Sequence, residues 1–155
     1  MTRLDFCRQL ARQAGVMAHT GFGTAPASLK GRHDVLTEMD GQVERFVRAA
    51  IAAAYPDDAI IGEEDGGAAG ERVWIIDPID GTANYARGIA HYCVSIGYLE
   101  GGRPEVGAIY DPSHDRLYSA RRGHGAWLDG QRMDARALPH AALLQSRQLE
   151  VGPAP

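Results

Sequence analysis

At Pro56 the hydrophobic period of this chain changes, and no other feature restricts its possible folds as strongly. Before that residue apolar side chains recur every three or four positions, the spacing of helices with one buried face. After it they come in short β-branched or alternating runs cut by Gly, Pro and Asp, the pattern of strands and turns. The first helix is expected on Leu4, Cys7, Leu10, Ala14 and Met17, capped by Thr2 with Asp5 and ended by Gly21 and Gly23. Residues Gly21 to Arg32 read as a loop. A second helix follows, with Met39, Val43, Phe46, Val47, Ala50, Ile51 and Ala54 as its apolar face, Thr37 as N-cap and Pro56 as stop.

Strands are expected at Ala59 to Ile61, Val73 to Ile76, His91 to Leu99, Glu105 to Tyr110, Arg116 to Ala120 and Ala126 to Leu128. Glu100-Gly101-Gly102-Arg103 reads as a hairpin connection, and Asp129-Gly130 ends the last run. Short turns between consecutive strands imply antiparallel pairing, so the class is α+β: two helices on an antiparallel sheet. Arg136 to Leu149 fits helix or strand, and Gly152 to Pro155 reads as a frayed end.

The 155 residues match about one domain. With 45% apolar and 23% charged residues, disorder and fibre are excluded. A net charge of −4 and a pI near 5.8, with no basic stripe, argue against nucleic acid as a partner. Arg3, Asp5, Arg8 and Arg12 interrupt the N-terminus, which therefore has neither a signal-peptide run nor a membrane span. Two distant cysteines, Cys7 and Cys93, form no disulfide framework and suggest a reducing cytoplasm, with Cys7 a small core hydrophobe.

Eight of the 20 acids lie between Asp57 and Asp80, where Arg72 is the only base. The continuous apolar run Val73-Trp74-Ile75-Ile76, expected to be buried on both faces, delivers Asp77 at its exit. Pro78 then forbids further ladder pairing, Asp80 and Gly81 turn the chain, and Thr82-Ala83-Asn84 can open a helical turn with free N–H groups. Crowded carboxylates with neither Cys nor clustered His favour Mg²⁺, Mn²⁺ or Ca²⁺ over zinc. A cation beside helix-start amides suits a phosphate ester. Alone, Asp77 and Asp80 would be equally at home in a turn; Glu63 and Glu64 upstream tip the reading to metal. Asp40 reads as a capping partner for Thr37, which leaves it free to serve a site as well.

Gly62-Glu63-Glu64, followed thirteen residues later by Asp77-Pro78-Ile79-Asp80-Gly81-Thr82, resembles the inositol monophosphatase family of Mg²⁺-dependent, lithium-sensitive phosphatases. The likeness runs upstream to Lys30 and to Asp34-Val35-Leu36-Thr37-Glu38-Met39-Asp40. Downstream it passes Asn84-Tyr85 and Val94-Ser95-Ile96-Gly97 to Gly123-His124-Gly125-Ala126-Trp127. It implies the N-terminal half of a layered α-β-α-β-α sugar-phosphatase sandwich. Glu63, Asp77, the Ile79 carbonyl and Asp80 would bind two or three Mg²⁺ ions, with Mn²⁺ as substitute and Li⁺ as inhibitor. Glu64 would hold a metal-bound water, and Thr82, paired with Asp40, would orient the attacking water. Gly81, Thr82 and Asp80 would face the substrate, and Lys30 would be a charge on the phosphate side.

The implied substrate is a small polyol phosphate such as inositol monophosphate, with fructose-1,6-bisphosphate, histidinol phosphate and adenosine 3',5'-bisphosphate as alternatives. Family members are commonly homodimers, which is the expectation for the full-length protein. A later W-D-x-A-A-G motif of the family, which carries a further metal-ligand Asp, is not found; Trp74 and Trp127 precede Ile75-Ile76 and Leu128-Asp129. Residues 1–155 are accordingly expected to be one N-terminal domain without the C-terminal α/β half. A metal-binding or dimerising module without turnover is the alternative function.

Overall fold

The computed structural model describes residues 1–24, 27–29 and 35–134. Lys30, Asp34, the stretch from Arg136 to Leu149 and the end from Gly152 to Pro155 lie outside them. Helix α1 spans Arg3–Thr20; Thr2 Oγ1 accepts the Asp5 N–H at 3.1 Å, and Gly21 is the C-cap, as the sequence predicts. Strand β1 (Ala27–Leu29) lies inside the segment read as a loop and pairs antiparallel with β2 (Val35–Thr37). Three-residue strands are too short to show a period, so this hairpin left no sequence signal.

Helix α2 (Glu38–Ala54) starts directly after Thr37 and ends before Pro56. It buries Val43, Val47 and Ile51 as expected, but Phe46 is 37% exposed and Ala54 is exposed. Asp40 and Glu44, at 0% exposure, occupy the buried face instead. That substitution of two carboxylates for apolar groups is what the site below uses.

The remaining chain forms one eight-stranded sheet of order β10-β9-β8-β7-β6-β5-β3-β4. Its strands are β3 (Ala59–Gly62), β4 (Gly66–Gly67), β5 (Arg72–Asp80), β6 (Cys93–Glu100), β7 (Arg103–Asp111), β8 (Arg116–Arg121), β9 (Gly125–Leu128) and β10 (Gln131–Met133). All neighbours are antiparallel except β3 and β5, which run parallel. β4 folds back along the outer side of β3, so the chain re-enters β5 in the direction of β3. The two Gly residues of β4 and the three residues of β10 gave no strand pattern in the sequence.

Strand β5 continues through Pro78: the ladder with β6 pairs Asp77 with Ser95, shifts register, and resumes at Asp80 opposite Cys93. Pairing was expected to stop at Pro78 with Asp77 at the strand exit; proline removes one donor, but the irregularity absorbs the loss without ending the strand, so Asp77 lies inside β5. Both helices pack on one face of the sheet, around Cys7, Leu10, Val47, Ile51, Trp74 and Ile96. Ile75 was expected to be buried but is 42% exposed, because it points to the opposite face with Ile109 and Tyr118. On that open face a hollow of about 770 Å³ is lined by Leu99, Ile109, Tyr118, Trp127 and Met133. Among the described residues no helix is long and apolar enough to cross a membrane.

Candidate functional site

Four elements deliver the candidate residues to one end of the sheet. β3 leads into Glu63 and Glu64, β5 carries Asp77, Ile79 and Asp80, α2 supplies Asp40, and the short helix α3 (Thr82–Ala86) begins with Thr82. Gly81 caps α3 at φ 95°, and a Cβ there would lie 2.9 Å from the His91 carbonyl, so both conformation and space call for glycine. The side chain of Asn84 donates to that same carbonyl at 2.9 Å and ties the helix to the chain entering β6.

Asp77 is the electrostatic centre. Its carboxyl is pushed up to about 7, first by burial, then by the charge of Glu63 and a hydrogen bond with it, then by the charges of Asp80 and Asp40. Its Oδ1 is buried and accepts no hydrogen bond. Among the described residues, no cation figures among the groups named as acting on it. Sequence positions 40, 63, 77 and 80 are thus neighbours in charge.

The Thr82 hydroxyl lies 3.1 Å from Asp40 Oδ1 and 2.8 Å from the Ile79 carbonyl. A hydroxyl has one proton, so these two acceptors compete for it and the oxygen lone pairs stay directed elsewhere. Gly81 and Thr82 stand at the start of α3, where amides have no acceptor within the helix.

A donor set of carboxylates and one carbonyl suits a hard cation, and the orphaned Asp77 oxygen lacks only such a partner. Among the described residues, no three His, Cys, Asp or Glu side chains stand in a grouping that could by itself hold a metal ion. Glu63 and Asp80 are exposed, however, so their rotamers are not locked by packing. The chemistry of the donors therefore fits, while closure of the set requires side-chain rotation.

Part of the acidic run serves another purpose. Asp58, its side chain 2% exposed, is paired with Arg3 at 2.5 Å and Arg72 at 3.2 Å, and accepts the Trp74 indole N–H at 3.0 Å. Its charge is neutralised by arginines from α1 and β5, not at the carboxylate cluster. The cluster also has a neighbour that sequence reasoning missed: the Cys93 thiol lies 3.7 Å from Asp80 Oδ2. Burial, then the charges of Asp80 and Asp77, push that thiol up to about 12. Only the β5–β6 register could have placed it there. Beside it, Asp80, Gly81, Asn84, Cys93 and Asp111 line a hollow of about 430 Å³.

Glu44 was missed as well. It accepts the backbone N–H groups of Glu64 at 2.8 Å and Asp65 at 3.0 Å, and pairs with Arg48 at 2.8 Å. Burial acts to raise its pKa but is outweighed by these donors, chiefly the Glu64 N–H, so the carboxyl is held below the usual range. The one available signal was a carboxylate four residues after Asp40 on an otherwise apolar helix face.

The model of the inositol monophosphatase family matches residues 2–151. A protein of Thermotoga maritima named fructose-1,6-bisphosphatase/inositol-1-monophosphatase is 36% identical over 135 residues, covering 86% of this chain and 53% of its own. The Nus factor SuhB of Escherichia coli K12 is 38% identical over 136 residues, covering 84% and 51%. The solved structure of a Thermotoga maritima IMPase superposes with a TM-score of 0.83 at 35% identity, over 86% of this chain and 53% of that one. The chain spans about half the length of the curated relatives it matches.

Proposed function

The chain belongs to the inositol monophosphatase family, and from that premise we propose that it supplies the metal- and phosphate-binding half of a Mg²⁺-dependent phosphomonoesterase. The observation that carries this reading is the buried Asp77 oxygen without a hydrogen bond, set among the acids Glu63, Asp80 and Asp40. Glu63, Asp77, the Ile79 carbonyl and Asp80 are the groups that would hold the metal. When bound, Mg²⁺ would neutralise charge on the phosphate and leaving group and lower the pKa of water near pH 7.

The chain's own residues would then position the reactants. Thr82 shares its proton between Asp40 and Ile79, which leaves its oxygen to accept from a water and aim it. Glu64 would orient a second water. The amides of Gly81 and Thr82 are available to phosphate oxygens, which a short helix start favours. Among the described residues no Lys or Arg lines the adjacent 430 Å³ hollow, so its walls suit the neutral hydroxyls of a polyol. The substrate we assign is a small polyol monophosphate, hydrolysed without a covalent phosphoenzyme.

The relative named Nus factor SuhB motivates a second reading, a chain that acts by binding without turnover. Calorimetric titration with Mg²⁺ alongside a phosphate-release assay separates the two. Phosphate release that needs Mg²⁺ and disappears in Asp80→Asn is the expected result for the phosphatase. Metal binding with no release would favour the binding protein, and unaltered turnover in Asp80→Asn would remove the metal assignment altogether.

A further inference from the structure

Besides Asp40, Glu44 is the other carboxylate with 0% exposure among the described residues. A lone charge is not buried in a helix–sheet core without cost, so its partners indicate what it holds. Apart from Arg48 of the same helix, those partners belong to one short segment. Glu64 and Asp65 donate their backbone N–H groups to its two oxygens, Arg48 bridges it to the Gly66 carbonyl, and a Cβ at Gly62 would collide with Oε1. The chain from Gly62 to Gly66 is thus wrapped on a single buried carboxylate.

Asp40 lies one helical turn before Glu44, and residues four apart share a helix face. One rigid helix therefore touches both halves of the carboxylate cluster: Asp40 holds the Thr82 hydroxyl, and Glu44 holds the backbone beside Glu63. We propose that Glu44 is a positioning residue that sets the segment Glu63–Asp65 at a fixed spacing from Asp40, Asp77 and Thr82, so that the cluster can close on a cation. The proposal rests on the metal reading given above.

The test is Mn²⁺ and Mg²⁺ titration of the full chain as wild type, Glu44→Gln, Arg48→Gln and Asp77→Asn, with thermal melting of each in EDTA. A glutamine keeps the shape but presents one acceptor where two N–H groups need one each. Loss of such a supporting contact weakens metal binding by about 10–100-fold. We expect that loss in Glu44→Gln and a smaller one in Arg48→Gln, which keeps both N–H bonds but loses the bridge to Gly66, with each variant still folded in EDTA. Wild-type affinity in Glu44→Gln, or equal weakening in both variants, overturns the proposal.

Amide hydrogen exchange of the wild type keeps the question open to decision if Glu44→Gln does not fold. Protection of the Glu64 and Asp65 amides comparable to that of α2 supports the clamp, and exchange at the rate of a free loop overturns it. Equal metal affinity of wild type and Asp77→Asn would instead sink the metal reading, and the exchange result would still judge the clamp by itself.

Discussion

Asp77 shows how far one residue's chemistry departs from its composition. A carboxyl raised to about 7 binds its proton more tightly in the folded protein than in the unfolded chain. The metal-free protein therefore has the full benefit at acidic pH, below the ordinary carboxylate range, and sheds it as pH rises toward about 7. Melting temperatures in EDTA between pH 4 and 8 should fall more steeply for wild type than for Asp77→Asn. A cation needs the ionised carboxylate, so Mg²⁺ affinity should rise across the same interval and level off above it. Titrations at pH 6, 7 and 8 check this, and a flat profile would contradict the assignment of Asp77 as a ligand. The sequence put Asp77 at a strand exit among other acids, whereas β5 runs on to Asp80, and its shifted titration had no sequence signal. That shift comes first from burial and then from Glu63, Asp80 and Asp40, and only the fold brings residues 63 and 40 close.

At the scale of elements, α1, α2 and the alternating β6 were legible because each is long enough for its period to declare itself. β1, β4 and β10, with two or three residues each, were not. The parallel β3–β5 pair was missed because sequence proximity suggests a hairpin and gives no hint that β4 intervenes on the edge. Asp58 fastens two elements whose contact no local pattern announces: Arg3 of α1 and Arg72 of β5 converge on it, and the Arg3 guanidinium lies 4.3 Å over the Tyr55 ring and 4.1 Å over that of Tyr98. Breaking a fully buried pair costs roughly 3–5 kcal/mol, and since both arginines keep solvent contact here we expect about 2 kcal/mol for Asp58→Ala. Urea unfolding measures this, and the loss should be nearly halved in an Arg3→Ala background, where one partner is already gone. Additive losses would mean that the pair is not coupled.

Among the described residues, one face of the sheet is covered by helices and the other by none. Ile75, Ile109 and Tyr118 stand 42%, 43% and 39% exposed on the open side, beside a hollow of about 770 Å³. A continuous apolar surface of this kind binds apolar dyes. The folded chain should therefore enhance anilinonaphthalene sulfonate fluorescence, and Ile109→Glu with Tyr118→Glu should reduce it at unchanged circular dichroism. Equal dye binding in the double variant would show that the dye sits elsewhere. The switch at Pro56 and the acidic run up to Asp80 determined, from sequence, the α+β class and the family, because period and residue chemistry are local properties. Which face of β5 is open, which acids are neutralised by arginine, and that Glu44 carries the loop beside Glu63 were decided by tertiary structure. Those depend on the chain partner opposite each residue, and sheet register and helix docking choose it across 20 to 55 positions.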